Sequence, residues 1–256
     1  MSTTSGSRMK SQSVITKCQV EIVDLKGSYI RSAGTKSALL DGTKLCRVEE
    51  FAARHFRCSG FEATFLESAP FHVLFGVYFW PVIQDRSDRR VRTVGILDRH
   101  AYDQRQPSEV IWIRLPSDFG TPDYERRRAK AITKHLSAIA ETSAELLGLF
   151  DNWLAPSAGL RQYLWAHRRE SIERAKKLIE FIPPRNLKNL LRYLVQSFWA
   201  RRSGWPDLLV HRGNEWFLAE VKSAGDKLSK NQERWIEDNQ HHPHMPFKLI
   251  RVHKEL

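Results

Sequence analysis

The chain has 256 residues, 41% of them hydrophobic and 27% charged, with 41 Lys+Arg against 29 Asp+Glu and a formal net charge of +12. This balance excludes a wholly disordered chain, a collagen-like repeat and a disulfide-stapled miniprotein, and the length holds one large domain or two small ones. The charge favours a polyanionic partner, nucleic acid or an acidic membrane surface, and does not choose between them.

Residues 1–15, rich in Ser and Thr, cannot bury apolar area to offset their ordering entropy. They are expected as a flexible tail, with no apolar segment of a secretory signal. A short strand is expected at Val20–Val23 and a helix over 47–57, where Val48, Phe51, Ala52, His55 and Phe56 recur at helical spacing. Phe71–Phe79 is apolar nearly all round, as a helix buried by its neighbours would be. Extended to Ile83, the run contains His72 and Pro81 and is too short to span a bilayer.

Val110–Leu115 reads as a strand. Thr121-Pro122-Asp123 then opens a long helix, with Thr as N-cap, Pro in the first turn, and Asp123 and Glu125 near the positive dipole end. Its expected buried stripe is Ala129, Ile132, Leu136, Ile139 and Leu146. Two more helices are expected over about 164–181 and 186–200. In the second, Leu187, Leu190, Leu191, Leu194 and Phe198 face inward while Lys188 and Arg192 face out. From Asp207 the pattern becomes strand, turn, strand, helix, strand. Cys18, Cys46 and Cys58 lack C-x-x-C spacing, suit a reducing interior and offer no zinc knuckle. The expected organisation is a tail at 1–15, a mainly helical body at 16–202 and an α/β core at 203–256.

Gly213-Asn214 between β-rich runs signals a two-residue hairpin. A tight turn there pairs residues whose numbers sum to 427, so Asp207 falls opposite Glu220, and Lys222 joins them on the same face. Two carboxylates that close repel unless a proton or cation lies between them. A hard divalent ion, Mg²⁺ or Mn²⁺, resolves the repulsion, and a lysine beside it can stabilise charge developing on a phosphate. The chemistry this spells is metal-assisted phosphodiester hydrolysis. Either an E-x-K triplet or a Pro-Asp strand entry is commonplace by itself; the register that opposes them singles them out. On the helix that follows, Leu228, Gln232 and Trp235 share one face. Gln232 therefore points inward, where its amide needs a partner: a site carboxylate or water, or a purely structural helix-to-sheet bond. His241-His242-Pro243-His244 lacks a spaced fourth ligand and reads as a polar loop.

Together, Gly204-Trp205-Pro206-Asp207, Glu220-Val221-Lys222, Gly225-Asp226-Lys227-Leu228-Ser229 and Gln232-x-x-Trp235 resemble the VRR-NUC nucleases, a branch of the PD-(D/E)xK superfamily. Upstream, Cys58-Ser59-Gly60-Phe61, Glu67-Ser68, Leu74-Phe75-Gly76 through Trp80, and Ile113 to Ala129 resemble the nuclease region of the Fanconi-anaemia-associated branch of that family. The similarity extends over roughly residues 46 to 256 and is looser between 84 and 200. Where the family often has Trp-Asp and Glu-Gly, this chain has Trp80-Pro81 and Glu67-Ser68.

The resemblance implies an α/β, restriction-endonuclease-like core with a mixed sheet flanked by helices, preceded by a largely helical body. It adds Glu67 to Asp207 and Glu220 as metal-binding carboxylates, makes Lys222 the catalytic lysine, and implies branched DNA as substrate, with 5′ flaps favoured. A four-way-junction resolvase of the same family and a non-catalytic DNA-binding module remain alternatives. A peripheral membrane protein is disfavoured, because no basic amphipathic helix with aromatic anchors is visible. An intracellular site, cytoplasmic or nucleoid-associated, is expected, and the oligomeric state is open. Residues 203–256 carry 8 basic and 8 acidic residues, whereas 84–202 carry 23 basic against 14 acidic. The helical body is therefore the expected phosphate grip, through Arg126, Arg127, Arg128, Lys130, Lys188 and Arg192, with Lys230 added from the core.

Overall fold

Two distant stretches of the chain build one mixed sheet. The computed structural model describes residues 13–30, 38–41, 44–223 and 225–255, and their contacts form two compact units, 1–67 with 204–256 and 68–203. In the first unit lie β1 (Glu21–Ile30), β2 (Ala38–Asp41), β3 (Lys44–Cys46), α1 (Val48–Cys58) and β4 (Glu62–Phe65). The second unit contains α2 (Ala69–Ile83), the strands β5 (Val91–Leu97) and β6 (Val110–Pro116), and a series of helices. These are α3 (Arg99–Asp103), α4 (Pro122–Ala138), α5 (Ser143–Leu154), α6 (Ala158–Tyr163), α7 (Arg169–Phe181), α8 (Pro184–Gln196) and α9 (Phe198–Arg201). The chain then returns to the first unit with β7 (Leu208–Arg212), β8 (Glu215–Ser223), α10 (Lys230–Asn239) and β9 (Phe247–Lys254).

The sheet order is β3-β2-β1-β9-β8-β7-β4. β9 runs parallel to β1 and β8, and the other pairs are antiparallel. The mixed sheet flanked by helices is thus as expected, but the units are drawn differently from the tail, body and core partition. The helical unit is inserted between β4 and β7, and strands from before it complete the sheet. Hydrogen bonding across β1–β9–β8 is long-range, a join that local periodicity cannot announce. Of the expected tail, residues 1–12 lie outside the described residues, whereas Val14 and Ile15 are helical and buried.

One face of the sheet packs Val221, Ile250, Val252, Leu25, Leu208 and Val210 against Ala52, Ala53 and Phe56 of α1. The other face receives α10, where Trp235 meets Phe247 at a ring separation of 5.1 Å. In the helical unit, α2 is buried on all sides, and Phe75 stacks on Phe79 and Phe198 at 5.0 and 4.9 Å. Pro81 lies in the last turn of α2, where it has no N–H to donate to the Val77 carbonyl, and the helix ends two residues later at Ile83.

Three local expectations change. Ala129 is exposed; the stripe of α4 is Tyr124, Ile132 and Leu136, Ile139 ends the helix, and Leu146 belongs to the separate α5. The helix expected over 164–181 starts only at Arg169, as α7, because Trp165 adopts the left-handed region at φ 55° just after α6 has ended. The one over 186–200 starts at Pro184 and breaks at Ser197, although all five of its expected inward residues are buried. Among the described residues no helix is long and apolar enough to cross a membrane.

Candidate functional site

A glycine sets the entry to the site. Gly204 has φ +92°, and a Cβ there would lie 2.3 Å from the carbonyl oxygen of Asn231. Only glycine lets the chain run against the first turn of α10 and then rise through buried Trp205 and Pro206 to Asp207. Trp205 packs on Trp235 at 5.9 Å, which fixes the segment to the helix.

The hairpin has the anticipated register: Leu208 pairs with Ala219 and Arg212 with Glu215. Gly213 supplies the positive φ, +56°, that a two-residue turn requires. One step beyond the last pair, Asp207 meets the β8 backbone, and Val221 N–H donates to its Oδ2 at 2.8 Å. Glu220 is only 2% exposed, and Lys222 Nζ lies 2.7 Å from its Oε1. Burial and the neighbouring Asp207 push the Glu220 carboxyl up to about 8, against the pull of Lys222. Asp207 is also raised, by burial first and by Glu49 on α1, while the Val221 N–H and Lys222 oppose the shift. Without a cation, the pair therefore keeps a proton at neutral pH.

Gln232 does two jobs at once. Its Nε2 donates to Glu220 Oε1, while its own Oε1 accepts from the Ser229 N–H at 2.8 Å. The Ser229 hydroxyl in turn caps the Gln232 N–H at 3.3 Å. This capping box orients the amide so that its NH₂ must face the carboxylate. Both readings of Gln232, structural bond and site contact, thus describe the same side chain.

Glu67 follows β4. The Leu66 N–H donates to the Asp207 carbonyl at 2.8 Å, which brings Glu67 to the same end of the sheet. Glu67 is exposed and adopts φ +54°, a conformation that costs a non-glycine residue about 1 kcal/mol or more. Among the described residues no three His, Cys, Asp or Glu side chains come together as a metal cluster, so Glu67 is near Asp207 in the chain path but not gathered with the pair. Asp207 and Glu220 alone, as close oxygen donors sharing a proton, fit a hard divalent cation. Glu49 and the Val221 N–H were not singled out from the sequence. No local pattern marks Glu49, whereas the Ser229-x-x-Gln232 box was readable.

The proposed DNA ridge on α4 is partly committed elsewhere. Arg127 bonds both Asp88 and Asp118 through two forks of 2.7 to 2.9 Å. Arg128 reaches Asp85 Oδ2 at 2.6 Å. Lys188, expected to face out, is half-buried and paired with Glu141. Arg126 and Lys130 are exposed, as is Lys230, and Arg192 is half-buried.

Comparison with known proteins bears on all of this. Residues 143–254 match the model of the VRR-NUC domain. The chain is 30% identical over 223 residues to Fanconi-associated nuclease 1 of Ailuropoda melanoleuca, covering 84% of this chain and 20% of that protein. The Homo sapiens protein is 28% identical over 221 residues, with the same coverage of each chain. This chain thus spans about a fifth of the length of these relatives. The crystal structure of paFAN1 bound to 2nt 5′ flap DNA with a gap matches 93% of this chain and 38% of that one, with a TM-score of 0.60 and 19% identity, which shows a shared fold.

Proposed function

We propose that this chain, which carries a VRR-NUC domain over residues 143–254, is a divalent-metal-dependent DNA endonuclease that hydrolyses phosphodiester bonds in branched DNA, with 5′ flaps preferred. The observation that carries the reading is the Asp207–Glu220 pair with Lys222 at 2.7 Å on one hairpin face. A buried acid pair of this kind is costly for a purely structural or DNA-binding role, because burial disfavours both charges. The relatives are named nucleases and the structural neighbour holds flap DNA, which supports the same class. Acting on DNA, the chain would work inside the cell.

Asp207 and Glu220 would hold Mg²⁺ or Mn²⁺, with Glu67 completing the set from the end of β4. Such an ion supplies polarisation of the phosphoryl oxygens and neutralisation of their charge. Lys222 stabilises the negative charge that develops on the phosphate and orients the attacking water, and Glu220 holds Lys222 in place. Gln232 fixes the Glu220 carboxylate, so the acid is already oriented before substrate arrives. Exposed basic side chains, Arg126 and Lys130 in the helical unit and Lys230 at the start of α10, contact the phosphate backbone, as does the half-buried Arg192.

The test is a panel of labelled 5′-flap, four-way-junction and duplex substrates with Mg²⁺, Mn²⁺ or chelator. Wild type should cut the flap in a metal-dependent way, and Glu220→Gln and Lys222→Ala should each lower the rate by about 10²-fold or more with DNA binding retained. Full activity in either variant refutes the site. Preferred cutting of the junction would favour a resolvase, and binding without cutting would favour a non-catalytic module.

A further inference from the structure

The two-stranded sheet of the helical unit has one covered face and one bare face. Ile113 and Leu115 of β6 are buried, and α6 lies so close that a Cβ on Gly159 would come within 2.8 Å of Ile113. Side chains alternate along a strand, and residues opposite each other in an antiparallel pair share a face. The other face therefore carries Leu97 opposite Val110, Gly95 opposite Trp112 and Thr93 opposite Arg114, and all six are exposed. Gly95 makes room for the indole: a Cβ there would meet Val110 at 2.9 Å and the six-membered ring of Trp112 at 3.1 Å. Trp112 is 71% exposed, more than any other large apolar side chain among the described residues.

The charge on this face says what would cover it. Arg114, two residues from Trp112, makes no ion pair or hydrogen bond among the described residues, and the face bears no Asp or Glu. Residues 86–117 hold 7 basic and 4 acidic residues. Three of those acids are committed, Asp88 to Arg127, Asp98 to the first turn of α3 and Asp103 to Arg168. A second copy of this chain laid on the face would bury two guanidinium groups with no carboxylate on either face to pair them. An open indole beside an unpaired guanidinium suits instead a ligand that joins an aromatic plane to an anion, which is a nucleotide. A base inside a duplex has both planes covered by its neighbours, so only an unpaired base can stack here. We infer that the Trp112 face is a docking surface for unpaired nucleotides of the substrate. The indole stacks on a base, Arg114 pairs with the adjoining phosphate, and Leu97 and Val110 lie against the sugar. The inference rests on the nuclease reading above and gives its flap preference a basis in named residues, since a single-stranded arm gains contacts that a plain duplex lacks.

The test is fluorescence anisotropy without added metal, across a salt series, on labelled oligothymidylate, a 5′ flap and a blunt duplex. The proteins are wild type, Trp112→Ala, Trp112→Tyr, Trp112→Leu and Arg114→Gln. Trp112→Ala should weaken binding to oligothymidylate and flap about tenfold and leave the blunt duplex unchanged. Trp112→Tyr, which keeps a ring, should retain most of the affinity, whereas Trp112→Leu should lose as much as alanine. Arg114→Gln should make the plot of log affinity against log salt shallower by about one for the flap alone. In cleavage assays Trp112→Ala should raise KM for the flap more than it lowers kcat.

Unchanged flap binding in Trp112→Ala, an equal loss on the blunt duplex, or full retention in Trp112→Leu overturns the assignment. So does a dimer in sedimentation that Trp112→Ala dissolves, which would give the face to a second copy. If the alanine variant fails to fold, judged by its thermal transition, Trp112→Leu against Trp112→Tyr carries the comparison. A wild type that binds the flap through Trp112 and does not cut it refutes catalysis and leaves this surface standing. A wild type that cuts the flap while Trp112→Ala binds it equally well refutes the surface and leaves the nuclease.

Discussion

Arg127→Ala separates a structural arginine from a DNA-binding one. In the sequence it is the centre of Arg126-Arg127-Arg128, a ridge suited to phosphate. In the structure its guanidinium makes four hydrogen bonds to Asp88 and Asp118, whose side chains are 2% and 9% exposed. Burial would raise the Asp88 carboxyl, but the bonds and charge of Arg127 outweigh it and hold it below the usual range. Asp118 is held low mainly by its bonds to Arg127. Removing Arg127 strands two largely buried carboxylates, and breaking a buried pair in this way costs about 3–5 kcal/mol. Part of that is recovered because Arg90 still reaches Asp118 at 3.1 Å and Arg128 still approaches Asp88 at 3.8 Å. We therefore expect a loss of about 3 kcal/mol, which lowers the thermal midpoint by roughly 10 °C.

The pH dependence carries the sign. Depressed folded-state carboxyls contribute stability above their unfolded value near 3.9 and lose it as pH falls through the folded one. The gap between wild type and Arg127→Ala should thus be full at pH 7 and shrink below about pH 4. Urea unfolding at pH 7, 5 and 3.5, with DNA binding measured at pH 7, checks both parts. A variant with wild-type stability and several-fold weaker DNA binding would refute the structural assignment.

Gly204→Ala should cost about 2 kcal/mol or more and abolish cleavage, since φ +92° and a 2.3 Å approach to the Asn231 carbonyl leave no room for a methyl group; near-native melting with full activity would contradict it. Buried His72, bonded to the Arg202 carbonyl at 2.7 Å, is lowered by burial to about 4. The unfolded chain then binds the proton first, so stability should fall by about 3 kcal/mol as pH drops from 6.5 to 4. In denaturant titrations His72→Gln should flatten that slope, and an unchanged slope assigns it to other groups. Because the Glu220 carboxyl is held up at about 8, Mn²⁺ binding near pH 7 should release about one proton, read by calorimetry in buffers of different ionisation enthalpy. Glu220→Gln should abolish that release.

Much of the site could be read from the chain because its geometry is local. A two-residue turn at Gly213-Asn214 and strand alternation suffice to oppose Asp207 with Glu220 and to bring Lys222 alongside, and the paired register agrees. Gln232 was legible for the same reason, as a residue that shares one helix face with Leu228 and Trp235. The apolar stretch Phe71–Phe79 could only be a buried helix. Glu67 was different: it is exposed at φ +54°, and only family resemblance selected it.

Sequence by itself settled what depends on neighbours a few residues apart: the hairpin, its acid pair and lysine, the inward face of Gln232, and the helical character of the middle of the chain. Tertiary structure decided what depends on partners far along it. The parallel join of β1 to β9 and β8 makes residues before the helical unit part of the sheet and sets Arg251 beside Lys222. The aspartates Asp88 and Asp118, distant in sequence from one another, turn Arg127 from an apparent phosphate contact into a structural clasp. Charge counts along a chain say how many cations exist; only the fold says which of them already have an anion.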